Sequence, residues 1–235
     1  MRNAWWIPVL LLLAGCHGAP RAAEAVQPNI VLILTDDAGY ADFGFTGCPD
    51  FQTPNIDRIA AEGVTCTDGY VTASVCCPSR AGLMTGRYQQ RFGHEVNLLA
   101  GTTQYATQGL PQEETTVADR LRDLGYATCA LGKWHLGVAE GYHPMDRGFD
   151  EYFGCLAGSR SYWPYDEAPK HGKGLMRNRE PVGKEAEGTY FTDLLSDEAV
   201  DFIDRHADEP FFLFVSYTAV HTPMHATEEL LARHA

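Results

Sequence analysis

Three short apolar runs, separated by stretches of helical spacing, constrain the fold of this chain more than any other feature. Asn29-Ile30-Val31-Leu32-Ile33-Leu34-Thr35 is almost continuously apolar without alternation, which predicts a strand buried on both faces, as in a parallel sheet. Thr53 to Gly63 follows with capping chemistry in front, helical spacing and a terminating glycine. Thr115 to Leu124 then predicts an amphipathic helix stopped by Gly125, and Tyr126 to Leu131 a second strand. A third unit pairs a helix over Asp193 to His206 with the strand Pro210 to Tyr217. Helices alternating with buried strands imply an α/β fold, a mostly parallel central sheet flanked by helices on both faces.

Each run ends in polar residues. The first leads to Asp36-Asp37, the second to Gly132-Lys133-Trp134-His135 and the third to His221-Thr222-Pro223. Any one of these is an ordinary loop sequence, but open α/β sheets bind ligands beyond the carboxyl ends of their strands, so together they propose one site. Lys133 and His135, two apart in an extended segment, are expected to project to the same side.

A fourth element is Ser74-Val75-Cys76-Cys77-Pro78-Ser79-Arg80-Ala81-Gly82-Leu83-Met84-Thr85-Gly86-Arg87. Pro78 suits the first turn of a helix and Gly86 the left-handed residue after its end, so a short helix over about 78 to 85 is expected. Cys76 would lie at its N-terminus, where free N–H groups and the helix dipole favour an anion. A lone cysteine there would read as a buried thiol or half of a disulfide. The full run resembles the signature of the sulfatase family, Cys-x-Pro-Ser-Arg followed by an apolar run and Thr-Gly-Arg, with Cys77 at the variable position.

The resemblance extends from about Pro28 to the end of the chain, through Asp36-Asp37-Ala38-Gly39-Tyr40, Thr53-Pro54-Asn55-Ile56-Asp57, Gly132-Lys133-Trp134-His135-Leu136-Gly137 and Arg147-Gly148-Phe149-Asp150. It implies an alkaline-phosphatase-like fold and a sulfuric ester hydrolase whose nucleophile is formylglycine, made from Cys76 by a maturation enzyme. The hydrated aldehyde offers one hydroxyl to attack sulfur and a second to expel sulfate afterwards. By the same similarity Asp36 and Asp37, with an oxygen of residue 76, would ligate calcium. Arg80 would orient the formylglycine, and Lys133, His135 and His221 would surround the sulfate. His135 is the candidate base, and His221 or Lys133 the candidate acid for the leaving alcohol. A formylglycine-dependent phosphodiesterase or phosphonate hydrolase, and a non-catalytic envelope protein, are the other readings. Relatives carry a second metal-binding pair and a further lysine beyond the histidine matched by His221. Thr222 to Ala235 holds no aspartate, so residues 28–235 are expected to be the N-terminal portion of a longer catalytic domain, its C-terminal part missing.

Composition and the N-terminus bound the setting. A net charge of −13 argues against a nucleic-acid partner and opposes a sulfated substrate at long range, so local cations must recruit it. Residues 1–15 have a basic start and an apolar stretch too short for a good membrane span, which predicts an export signal. Leu13-Ala14-Gly15-Cys16 resembles a bacterial lipobox that would leave Cys16 lipid-bearing, with 16–27 as a tether; a plain signal peptide is the simpler alternative. The expected location is the bacterial cell envelope or periplasm, with membrane contact only through that lipid and a sulfated glycan as a fitting substrate. Of seven cysteines, five have neither role, so at most a subset of disulfides is expected. Arg91, His94, Glu95 and Ser159 to Tyr165 are candidates to line the mouth, a polar surface loop being the simpler reading of each.

Overall fold

The computed structural model describes residues 27–163, 172–183, 186 and 188–233. The expected signal segment, Cys16, all of the tether but Gln27, and Pro164 and Tyr165 of the candidate mouth lie outside the described residues. One six-stranded sheet organises the rest. Its strands are β1 (Ile30–Leu34), β2 (Ala127–Lys133), β3 (Glu151–Cys155), β4 (Met176–Arg177), β5 (Glu180–Pro181) and β6 (Phe211–Ser216). Their spatial order is β1-β6-β2-β3-β4-β5, parallel across the first four and antiparallel at β4 and β5.

Alternation along the strands divides the core into two layers. On one face Phe212, Phe214, Ala130 and Tyr152 pack with Trp134 and Phe149 and with Ala81 and Met84 of α2 (Cys76–Thr85) and Ala118 of α4 (Val117–Asp123). The other face sets Leu213, Val215, Cys129, Leu131 and Phe153 against Phe191, Leu195 and Phe202 of α5 (Phe191–Arg205), which share one side at helical spacing. Each such apolar side chain stabilises the fold by about 1.5–3 kcal/mol when fully buried. Three peripheral helices, α1 (Pro54–Glu62), α3 (Thr103–Thr107) and α6 (Glu228–Arg233), bury little, Tyr105 of α3 being the exception. Local chemistry sets the ends of α4: Thr116 and Asp119 form a reciprocal capping box, and Gly125, at φ 87°, turns the chain after it.

The structure corrects the reading of β1. Its residues alternate, with Val31 46% and Ile33 54% exposed, whereas a strand buried on both faces was expected. β1 is the sheet edge with β6 as its neighbour, and α5 packs on β2, β3 and β6 without covering it. Strand β3 and the β4–β5 hairpin were not legible as strands, and α2 starts two residues earlier than expected, at Cys76.

Register places the strand ends together. Ser216 pairs with Leu34 of β1 and with Gly132 of β2, so Asp36, Lys133 and Ser216 emerge at one edge. Gly132 permits this approach: it stands at φ 93°, and a Cβ there would lie 2.0 Å from the Ser216 carbonyl oxygen.

Candidate active site

The inner part of the site is a buried ion cluster. Lys133 Nζ lies 2.6 Å from Asp36 Oδ2, and Arg80 Nη2 lies 3.5 Å from Oδ1 of the same carboxylate. Arg80 Nη1 donates to Ser216 Oγ at 2.6 Å and to the Lys133 carbonyl at 2.8 Å, and the Ser216 hydroxyl donates to that carbonyl as well. All four side chains are buried. Two cations against one carboxylate leave an excess positive charge in a water-poor place, which offsets the acidity of the whole chain for an incoming anion.

Pairing of β1 with β6 continues past the strands. Asp36 N donates to the Ala219 carbonyl at 2.8 Å, and Val220 N donates to the Asp36 carbonyl at 2.7 Å. The turn from Thr218 to His221 is thereby held against Asp36 and Asp37. Asp37 takes a left-handed conformation, φ 60°, which aspartate tolerates better than most residues. Its carboxylate faces outward, 3.7 Å from His221 Nε2, while His221 Nδ1 lies 2.6 Å from the Thr222 carbonyl. Behind the turn, the Tyr162 hydroxyl lies 2.7 Å from the Thr218 carbonyl and 2.9 Å from that of His221, and its ring stacks on Tyr190.

His135 departs from the expected geometry. The chain leaves extended conformation after Lys133, and His135 stands at φ 60°, so the two side chains do not share a side by strand alternation. His135 N donates to the Leu156 carbonyl, and its Nε2 lies 2.8 Å from the Leu98 carbonyl. Burial, reinforced by Lys133 and Arg80, pushes its pKa down to about 4 against the Leu98 bond. The ring is therefore neutral at pH 7. With a carbonyl at Nε2 the proton belongs there, leaving Nδ1, which is buried without a partner, as an unprotonated lone pair.

Cys76 is the first residue of α2, and its Sγ lies 3.7 Å from Asn97 Oδ1. Cys77 beside it is buried, with Sγ 3.1 Å from His94 Nε2, and burial pushes its thiol up to about 12. His94 was read as a surface-loop residue or a candidate for the mouth; it is instead buried with its ring against the Cys77 thiol. Arg91 and Glu95 remain on the surface. The six described cysteines are free.

Of the residues singled out from sequence, Asp36, Arg80 and Lys133 are thus joined directly, Asp37 meets His221, and Cys76 and His135 both border the segment that ends in Leu98. Three further residues had been missed as parts of the site. Ser216 carried a signal, since it is polar at the carboxyl end of a strand in the same row. Tyr162 lay within a span assigned to the mouth, and Asn97, far from Cys76 in sequence, carried none.

The sheet, parallel across its first four strands and carrying the buried cluster at its strand ends, matches solved sulfatase structures, which belong to the alkaline-phosphatase-like superfamily. Within it the chain belongs to the sulfatase family, whose model matches residues 28–235. It is 36% identical to the N-acetylgalactosamine-6-sulfatase of Mus musculus over 94% of the chain and 45% of that protein. An arylsulfatase of Hemicentrotus pulcherrimus is also 36% identical, over 94% of the chain and 41% of the relative. Among solved structures, Ps i-CgsB in complex with k-i-k-neocarrahexaose superposes with a TM-score of 0.81 at 40% identity, covering 88% of this chain and 48% of that one. The PsFucS1 sulfatase from Pseudoalteromonas sp. gives 0.72 at 30%, covering 86% and 46%. The chain spans about 45% of the length of the curated relatives it matches first.

Asp36 and Asp37 are hard oxygen donors of the kind calcium takes, with Lys133 and Arg80 facing the two oxygens of Asp36 and Asp37 turned outward to His221. Calcium needs six to eight oxygens, and the described residues contain no group of three or more His, Cys, Asp or Glu placed to hold a metal. The two carboxylates therefore fit as part of a shell.

Proposed function

We propose that this chain carries the nucleophile-bearing part of a sulfuric ester hydrolase. In this reading a maturation enzyme converts Cys76 to formylglycine, and the substrate is a sulfated glycan. The observation that carries it is the buried Asp36–Lys133–Arg80 cluster, with its excess positive charge and its Ser216 brace, at the strand ends. The hydrated aldehyde would supply a nucleophile that can also release its own sulfated form. Asp36 and Asp37 would hold calcium, which supplies Lewis-acid polarisation of a sulfate oxygen when bound.

The remaining chemistry falls to the chain's own side chains. Lys133 and Arg80, fixed before substrate arrives, offset the charge that develops on the sulfuryl oxygens. His135 takes a proton at Nδ1, its Nε2 proton being committed to the Leu98 carbonyl. Lys133 Nζ is engaged by Asp36, so the more accessible His221 is the better proton donor to the leaving alcohol. A glycan substrate is supported by two relatives: Ps i-CgsB was solved with k-i-k-neocarrahexaose and BT4656 with D-glucosamine-2-N,6-O-disulfate. Export, with a lipid on Cys16, would place the protein at a bacterial envelope, where such polymers are met.

The test is mass spectrometry of residue 76 in the complete protein produced with a maturation enzyme, combined with sulfate release from sulfated oligosaccharides in calcium. Formylglycine with turnover, both lost in Cys76→Ala, is the expected result. Formylglycine without turnover of any sulfate ester would leave a binding protein, and a permanently free thiol would end the mechanism.

A further inference from the structure

Helix α2 begins in an unusual way for a helix that carries a reactive residue. Its N-cap is Val75, extended at φ −130° and without a side-chain acceptor, so the first amides of the helix have no local cap. Pro78 has no amide to offer. The missing acceptor comes from 20 residues away: Asn97 Oδ1 takes the Cys77 N–H at 3.2 Å. The same oxygen lies 3.7 Å from Cys76 Sγ.

The segment around Asn97 grips this helix start at several points. His94 Nε2 lies 3.1 Å from Cys77 Sγ. The Leu98 carbonyl holds His135 Nε2 at 2.8 Å. Residues 94–98 thus form one strap that touches residue 76, anchors residue 77 and fixes the ring of His135.

We infer that Asn97 is the positioning residue for the nucleophile: its side-chain oxygen caps α2 and accepts a hydrogen bond from the reacting group of residue 76. In the unconverted protein that donor is the Cys76 thiol. In the converted protein it is one hydroxyl of the hydrate, which Asn97 holds in one orientation while Leu98 holds His135. This rests on the formylglycine reading, and the experiment separates the two.

Asn97→Ala removes the acceptor, and Asn97→Asp keeps an oxygen at the helix start. Both are made in the complete protein, with formylglycine content measured by mass spectrometry and rates expressed per converted molecule. At equal content, Asn97→Ala is expected to lose about 10- to 100-fold in kcat, the worth of one hydrogen bond to a reacting group, with KM little changed. Asn97→Asp is expected to recover most of that loss, and it decides the matter if the alanine variant fails to fold. A second readout needs no turnover: without the maturation enzyme, alkylation of Cys76 at a fixed pH, referenced to the exposed Cys66, should be faster in Asn97→Ala. Wild-type kcat per converted molecule in Asn97→Ala, or a rise in KM alone, overturns the inference. Wild-type protein that never carries formylglycine overturns the sulfatase mechanism instead, and the alkylation comparison still judges Asn97.

Discussion

Asp36 and Asp37 are adjacent in sequence, yet one is buried with both carboxylate oxygens facing cations and the other is 64% exposed beside His221. In the inner half of the site Asp36, Lys133 and Ser216 stand at strand ends, Arg80 reaches them from α2, and the group completes its own ion pairs. The outer half, Asp37, His221 and Cys76, sits on a turn and a helix start, where a substrate can reach it. Rigidity and access are supplied by different parts of the fold. Charge fixed in the interior needs no rearrangement when an anion arrives, whereas Asp37 and His221 stand on a turn nearer the surface.

The contrast is sharpest in paired substitutions. Asp36→Asn leaves Arg80 and Lys133 buried without their counter-charge and should cost about 3–5 kcal/mol of stability, measured by urea denaturation. Asp37→Asn should stay within about 0.5 kcal/mol, because its carboxylate is solvated. Both are expected to abolish sulfate release if both carboxylates hold calcium. Equal stability losses would erase the distinction between the halves.

A second test uses pH. Burial pushes His135 and His143 down from 6.5 to about 4, so each is neutral in the fold while the unfolded chain takes up a proton. The stability each contributes is complete above pH 6.5 and is lost as pH falls toward about 4. His143 lies outside the site, against Tyr152. His143→Gln should therefore flatten the fall in unfolding free energy between those limits by on the order of 1.4 kcal/mol per pH unit, while sulfate release is retained. An unchanged slope would show that this histidine is not held neutral.

The smallest effect is expected at Tyr162. Tyr162→Phe keeps the stack on Tyr190 but removes the hydroxyl that ties down the Thr218–His221 turn. A stability loss of about 0.5–1.5 kcal/mol is expected. Because the turn carries His221, kcat should change more than KM. A variant with wild-type kinetics would mean that pairing with Asp36 alone suffices to place the turn.

Much of this site was legible in the chain because its residues stand at the ends of apolar runs. Asp36 and His221 follow β1 and β6, Lys133 ends β2, and parallel strands in register bring such ends together. Arg80 and Cys76 were legible from the signature and the helix it starts. Reading failed where neighbours in space decide the outcome. The apolar run of β1 cannot reveal that α5 leaves one face open, and strand spacing for Lys133 and His135 cannot foresee a left-handed residue at 135.

The sequence by itself determined the alternation of helix and strand, the family, and the chemical types gathered at the sheet's carboxyl edge, because periodicity and strand-end position are properties of a local stretch. Only the tertiary structure decided which carboxylate is buried, that Ser216 braces Arg80, that Tyr162 holds the His221 turn, and that a strap from His94 to Leu98 joins Cys76 to His135. These are contacts between segments tens of residues apart. Burial and hydrogen-bond partners depend on packing that no single segment encodes.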